Sequence, residues 1–210
     1  TRMYSPERLI ENLSVYIEEL NDLVAAGTAA AEKNRLLIEK SNIEAYAGKL
    51  ETLPAHQRLT AKHIEQGLAL EPHPEGGFYR EFIRTGASTV IFYLLPEQAI
   101  SSWHSLQDTK ERFKLISGDA LCIPKIDGGG FWQSEENVTY ENDVVIEKND
   151  GFGDWFGAYP AGEYGLVTCE CKGPFEFAKF KIAGPEELAA FRGKNPGHRQ
   201  TIDRLAPKNG

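Results

Sequence analysis

Residues Ser102 to Gly118 read SWHSLQDTKERFKLISG. Trp103 and His104 open the stretch, Glu111 follows seven residues after His104, and Gly118 lies seven beyond Glu111. Phe113 and Leu115 alternate with Arg112 and Lys114, the two-residue period of a strand entering a core. Gly118-Asp119 then supplies a tight turn before a second strand, Ala120 to Ile123. The spacing predicts His104 and Glu111 on neighbouring strands of a small β-barrel. An imidazole and a carboxylate inside an apolar cup can hold a metal ion or a polar ligand.

Outward from this stretch, short strand-like segments separated by turns continue in both directions. Before it come Phe78 to Arg84 and Ser88 to Leu95. After it come Phe131 to Ser134, Thr139 to Glu147, Trp155 to Ala158, Tyr164 to Lys172 and an apolar run from Phe175 to Ile182. In Tyr164 to Lys172, Leu166, Thr168 and Glu170 share one face, and Val167, Cys169 and Cys171 the other. Pro72 to Gly77 holds two prolines and two glycines, which allow neither a helix nor a central strand, so a rigid turn is expected. Thr60 caps a short helix, Ala61 to Gln66. The N-terminal block differs in kind. Ser5-Pro6 starts a helix whose Leu9, Leu13, Tyr16, Ile17 and Leu20 recur at three- and four-residue steps. Thr28 is the expected cap of a second helix, which Ser41-Asn42 is expected to bend or break. The pattern is mainly β, a sandwich or jelly roll with an N-terminal α-helical hairpin. The expected division is residues 1–56 for the hairpin, 57–184 for the barrel and 185–210 for a C-terminal helix and polar tail.

Composition narrows the classes of function. The chain has 210 residues, a formal net charge of -8 and 41% hydrophobic residues. That charge, with no basic stripe, argues against a nucleic-acid partner or an anionic membrane surface. No apolar run reaches the roughly 20 residues of a spanning helix. The cysteines, Cys122, Cys169 and Cys171, are odd in number and not at zinc spacing, so a reducing, cytoplasmic setting is expected.

His104, Glu111 and Gly118 fall in the register of the first cupin motif, with Leu106 where that motif has its second histidine. PHPEGGFYREFIRT (Pro72 to Thr85), STVIFYLL, Trp103-His104, GDAL (Gly118 to Leu121), DWFGA (Asp154 to Ala158) and CECKGPFEFAKFKI (Cys169 to Ile182) add to the likeness. Over about Leu59 to Ile182 the chain resembles the cupin-5 family (DUF985). The resemblance implies a double-stranded β-helix, a pocket in the barrel and a homodimer. It also marks departures: Glu111-Arg-Phe113-Lys114 stands where the family often has Glu-x-Trp-His, and Phe156 where a second motif would have histidine.

A protein-held transition metal needs three or four converging ligands. Here His104 and Glu111 remain of that set, so no metal and no cofactor are expected, although His73 would add a ligand if its turn folds over the barrel mouth. Metal-free acid–base chemistry asks less. An imidazole ordinarily titrates near neutrality, and Glu111 would orient it. His104 and Glu111 are therefore the candidate catalytic residues. Arg80 is a candidate anion clamp, and His73, Tyr79, Tyr93, Phe113, Lys114 and Phe156 are further candidate ligand contacts. The expected partner is a small molecule, carbohydrate-like or carboxylate-bearing, handled by a metal-independent isomerase, epimerase or lyase. The alternatives are a non-catalytic sensor of the same ligand and a metal enzyme with an incomplete ligand set.

Overall fold

In a computed structural model, which describes residues 2–27, 29–148 and 151–208, the N-terminal block forms two long helices. Helix α1 (Pro6–Ala25) begins at Ser5, whose side chain accepts from the Arg8 N–H. Helix α2 (Ala30–Glu51) runs unbroken through Ser41-Asn42, because neither residue removes a backbone donor. The expected cap at Thr28 lies outside the described residues. Each helix buries one seam, Leu9, Leu13, Tyr16 and Leu20 from α1 and Leu36, Ile43, Tyr46 and Leu50 from α2. Helix α3 (Ala61–Gly67) follows, closed by a reciprocal capping box between Thr60 and His63.

The remainder is antiparallel sheet. In chain order the strands are β1 (Glu71–Pro72), β2 (Phe78–Arg84), β3 (Ser88–Pro96), β4 (Ser101–Leu106), β5 (Lys110–Gly118), β6 (Leu121–Ile126), β7 (Trp132–Val138), β8 (Val144–Ile146), β9 (Trp155–Pro160), β10 (Tyr164–Lys172) and β11 (Phe180–Ile182). One sheet has the order β1-β2-β3-β10-β5-β8 and the other β11-β4-β9-β6-β7. Sequential strands β3, β4, β5 and β6 thus alternate between sheets, as they do in a jelly roll. The segment from Phe175 forms a strand only at Phe180–Ile182, and a 3-10 turn, Phe177–Lys179, precedes it.

Strand alternation divides the interior into three apolar zones. Val167, Cys169 and Cys171 of β10 face inward, against Phe113, Leu115, Leu121, Ile123 and Phe156 between the sheets. Leu166 of the same strand faces outward and joins Phe82, Phe92 and the seams of α1 and α2 in one continuous core. The helical pair is therefore packed on the barrel's outer wall. Tyr16 of α1 fixes it there through a buried hydrogen bond with the Thr168 hydroxyl.

The opposite wall is covered by the C-terminus. The expected polar tail instead continues past α4 (Pro185–Lys194) into α5 (Arg199–Arg204). Ile202 and Leu205 pack with Phe191 on Trp103, whose indole N–H donates to the Ile202 carbonyl at 3.0 Å. Trp103 therefore anchors this outer layer. Its neighbour His104, by the same alternation, points inward.

Candidate functional site

Strands of both sheets and two connecting segments converge on a cavity of about 510 Å³, within the size range of metabolite pockets. Strand β4 contributes His104 and Leu106, β5 contributes Glu111, and β10 contributes Cys169 and Cys171. Strand β2 adds Tyr79, Glu81 and Arg84, β3 adds Thr89 and Ile91, the turn before β2 adds His73 and Glu75, the segment before β11 adds Phe175, Glu176 and Phe177, and β11 itself adds Phe180.

His104 and Glu111 both reach this cavity, from opposite sheets rather than from neighbouring paired strands. The imidazole is 4% exposed, its ring 4.2 Å from that of Phe156 and 5.5 Å from that of Phe180. Nδ1 lies 2.8 Å from the Ser102 carbonyl oxygen and 3.2 Å from Glu75 Oε2. Both are acceptors, so Nδ1 carries the proton, and in the neutral ring Nε2 is left as the lone-pair nitrogen.

The carboxylate that orients His104 is therefore Glu75, not Glu111. Glu75 sits in a turn that glycine makes possible. Gly76 has φ 109°, and a side chain there would come within 2.0 Å of the Ile100 carbonyl oxygen. The turn is fastened by Ser102 N–H donating to the Glu75 carbonyl at 2.8 Å and by the Tyr93 hydroxyl donating to the Gly76 carbonyl. Sequence reasoning placed the turn but passed over its carboxylate. The available signal was an acidic residue locked between Pro74 and a glycine pair.

His73 Nδ1 accepts from the Glu75 N–H at 3.1 Å. Burial pushes its pKa down, against the opposing pull of Glu75, so the 3.9 Å approach to Glu75 Oε1 is not an ion pair. Glu111 is buried, and its Oε2 has no partner among the described residues. Burial, reinforced by the neighbouring Glu75 charge, raises its pKa well above the usual carboxylate range. Burial thus favours the protonated carboxyl, the form that can donate a proton. Burial likewise raises Cys169 and Cys171, so these are unreactive thiols.

The other sequence candidates are distributed differently. Tyr79 lines the cavity, edge-on to His73 at 4.6 Å between ring centroids. Arg80 faces the other way, because adjacent strand residues point to opposite sides, and pairs with Glu39 of α2 at 2.8 and 3.1 Å. It cannot clamp an anion in the cavity. Lys114 is also on the outer face, opposite Thr168 on β10 and near Glu19. Tyr93 is buried beneath the turn, and Phe113 and Phe156 are core residues, their centroids 6.1 Å apart. These three support the site from behind.

The donor set does not fit a cupin-type metal. Leu106 shares the inward face of β4 with His104, and Phe156 lies tilted against the imidazole, so the two positions that would supply further nitrogens are hydrocarbon. His104 Nδ1 and His73 Nδ1 are already engaged. Among the described residues no three His, Cys, Asp or Glu side chains converge closely enough to hold an ion. No described helix is long and apolar enough to cross a membrane.

Comparison with known proteins agrees with this architecture. A hypothetical protein from Leishmania major superposes with a TM-score of 0.58 at 22% identity, over 71% of this chain and 99% of that one. A crystal structure of a protein from Shewanella oneidensis gives 0.60 at 23% identity, again over 71% of this chain and 99% of its own. At such identities the likeness speaks for the fold. Among curated proteins none matches. The family model Cupin_5, cupin superfamily (DUF985), matches residues 62–183. On that match, which takes in the turn carrying Glu75 and both strands carrying His104 and Glu111, this chain belongs to the Cupin_5 family.

Proposed function

We propose that the barrel binds a small oxygenated metabolite and moves a proton on it without a metal, as an isomerase or epimerase does. The observation that supports this most directly is the arrangement of two complementary groups in one cavity. His104 is held through Nδ1 by Glu75 and Ser102, and Glu111 is a buried acid whose Oε2 has no partner among the described residues and whose proton burial favours. A base oriented by a carboxylate and an acid kept protonated by burial are the two halves of general acid–base catalysis.

The chemistry suited to these groups begins at a carbon next to a carbonyl. His104 Nε2 takes the C–H proton, the electron pair moves toward the carbonyl oxygen, and Glu111 gives that oxygen its proton. Return of a proton to the opposite face of the carbon inverts the centre, and return to the adjacent carbon isomerises the carbonyl. A leaving group one carbon further on would turn the same step into an elimination. Glu75 holds the imidazole's tautomer throughout and stabilises the imidazolium after abstraction.

The test is isotope exchange. Hydroxy-carbonyl compounds that bind the protein are incubated with it in deuterium oxide, and proton NMR follows loss of the C–H signal. Exchange by the wild type, abolished in His104→Ala and in Glu111→Leu, is the expected result. A compound that binds wild type and His104→Ala alike, with no exchange in either, would make the barrel a sensor instead.

A further inference from the structure

The mouth of the cavity has a chemistry of its own. Its wall holds the carboxylates of Glu75, Glu81 and Glu176, besides the Glu111 carboxyl whose proton burial favours, against a single guanidinium, Arg84. That guanidinium is already committed: Nε and Nη2 donate to Glu81 at 2.6 and 3.0 Å, and Nη2 also donates to the Phe175 carbonyl at 2.8 Å. Among the described residues no uncommitted lysine or arginine lines the wall, and Lys179, 4.0 Å from Glu176, stands outside it, so a ligand carboxylate or phosphate would meet acidic side chains with no free counter-charge.

The rings at the mouth point the same way. Phe175, Phe177 and Phe180 lie with centroids 5.0, 5.8 and 6.3 Å apart pairwise, and the planes of Phe177 with the other two are near perpendicular. They form an angular aromatic wall beside the Glu176 carboxylate. Phe177 is 56% exposed, an unfavourable setting for a phenyl ring that a ligand would cover. Aromatic faces beside carboxylates attract organic cations, whose weakly hydrated charge gains from the rings' negative faces. Deeper in, Glu111 Oε2 is buried and unpartnered, which calls for an oxygen-bearing group opposite it.

We propose that the ligand is a small organic cation, an amine or quaternary ammonium with a hydroxyl or carbonyl at its far end. Its charged head sits among Phe175, Phe177, Phe180 and Glu176, and its oxygenated end faces His104 and Glu111. This assignment of ligand class rests on the reading of the barrel as a metabolite site given above.

Three probes of nearly one shape separate charge from shape: choline, its neutral isostere with a quaternary carbon in place of nitrogen, and the corresponding branched carboxylate. Affinities are measured by NMR titration on the full chain. Choline is expected to bind about tenfold more tightly than the neutral isostere, and the carboxylate not at all. Glu176→Gln should remove most of choline's advantage without changing affinity for the neutral isostere, and Phe177→Ala should weaken choline several-fold. Both residues are at the surface, so folding is not at stake. Equal binding of choline and its neutral isostere, or tightest binding by the carboxylate, overturns the cation assignment and leaves the barrel as a metabolite site. Failure of choline to bind also overturns it, and the isotope-exchange experiment then judges the catalytic reading separately.

Discussion

Replacing Glu111 by glutamine tests the electrostatic claim at the centre of the site, because it keeps the shape and a hydrogen-bond donor but removes the titration. Glu111 is 7% exposed, with one oxygen unpartnered and Glu75 nearby. Its pKa is therefore raised in the folded chain, while in the unfolded chain it takes the ordinary value of about 4.3. Below that value both states hold the proton, and above the raised folded value neither does. Within the window only the folded chain holds it, so stability falls as pH rises, by about 1.4 kcal/mol per pH unit. For a chain of this size that corresponds to roughly 3–6 °C in Tm per pH unit. Urea unfolding of wild type and Glu111→Gln, followed over about one pH unit above pH 5, gives the difference in slope, in which the other titrating groups cancel. The wild type should lose stability faster with rising pH by the full amount. Parallel slopes would show that Glu111 ionises in the folded protein, and the proton donor would be lost from the mechanism.

Further outcomes follow from other contacts. Gly76→Ala forces a side chain against the Ile100 carbonyl at a positive φ; it should cost about 2 kcal/mol or more in urea unfolding and, by displacing Glu75, lower the rate of isotope exchange. Tyr16→Phe leaves the buried Thr168 hydroxyl without its partner and should cost about 1–2 kcal/mol, with ligand binding unchanged in a titration. Arg80→Met removes an ion pair that is partly exposed on the outer wall; it should change stability by less than about 1 kcal/mol and leave affinity for every probe as it was, whereas a loss of affinity would return Arg80 to the ligand site.

What the sequence disclosed, and what it withheld, divides along a physical line. The alternation in β10 was readable because both faces of that strand are buried in different ways: Thr168 meets the Tyr16 hydroxyl outside, and Cys169 and Cys171 meet the cavity inside. The helical seams of α1 were readable for the same reason, since a continuous apolar face leaves a continuous period. Arg80 and Lys114 were misassigned although strand alternation was available. Tyr79 and Phe113, their neighbours, point inward, so Arg80 and Lys114 point out, to Glu39 and toward Glu19.

The relation between His104 and Glu111 shows a deeper limit. A seven-residue interval places two residues on consecutive strands, but it does not say whether those strands pair. Here the chain leaves β4 at Leu106 and crosses to the other sheet before β5 begins at Lys110, through Asp108 at φ 55°. The crossing carries the two groups to opposite walls, so neither orients the other. A third group had to hold the imidazole, and Glu75 does so from a turn whose position depends on Gly76 lying against the Ile100 carbonyl. That contact joins residues far apart in the chain and leaves no period in the sequence. The acid and the base are thus separated by the topology that builds the barrel, so that burial favours the proton on Glu111 while His104 is held beside a different carboxylate.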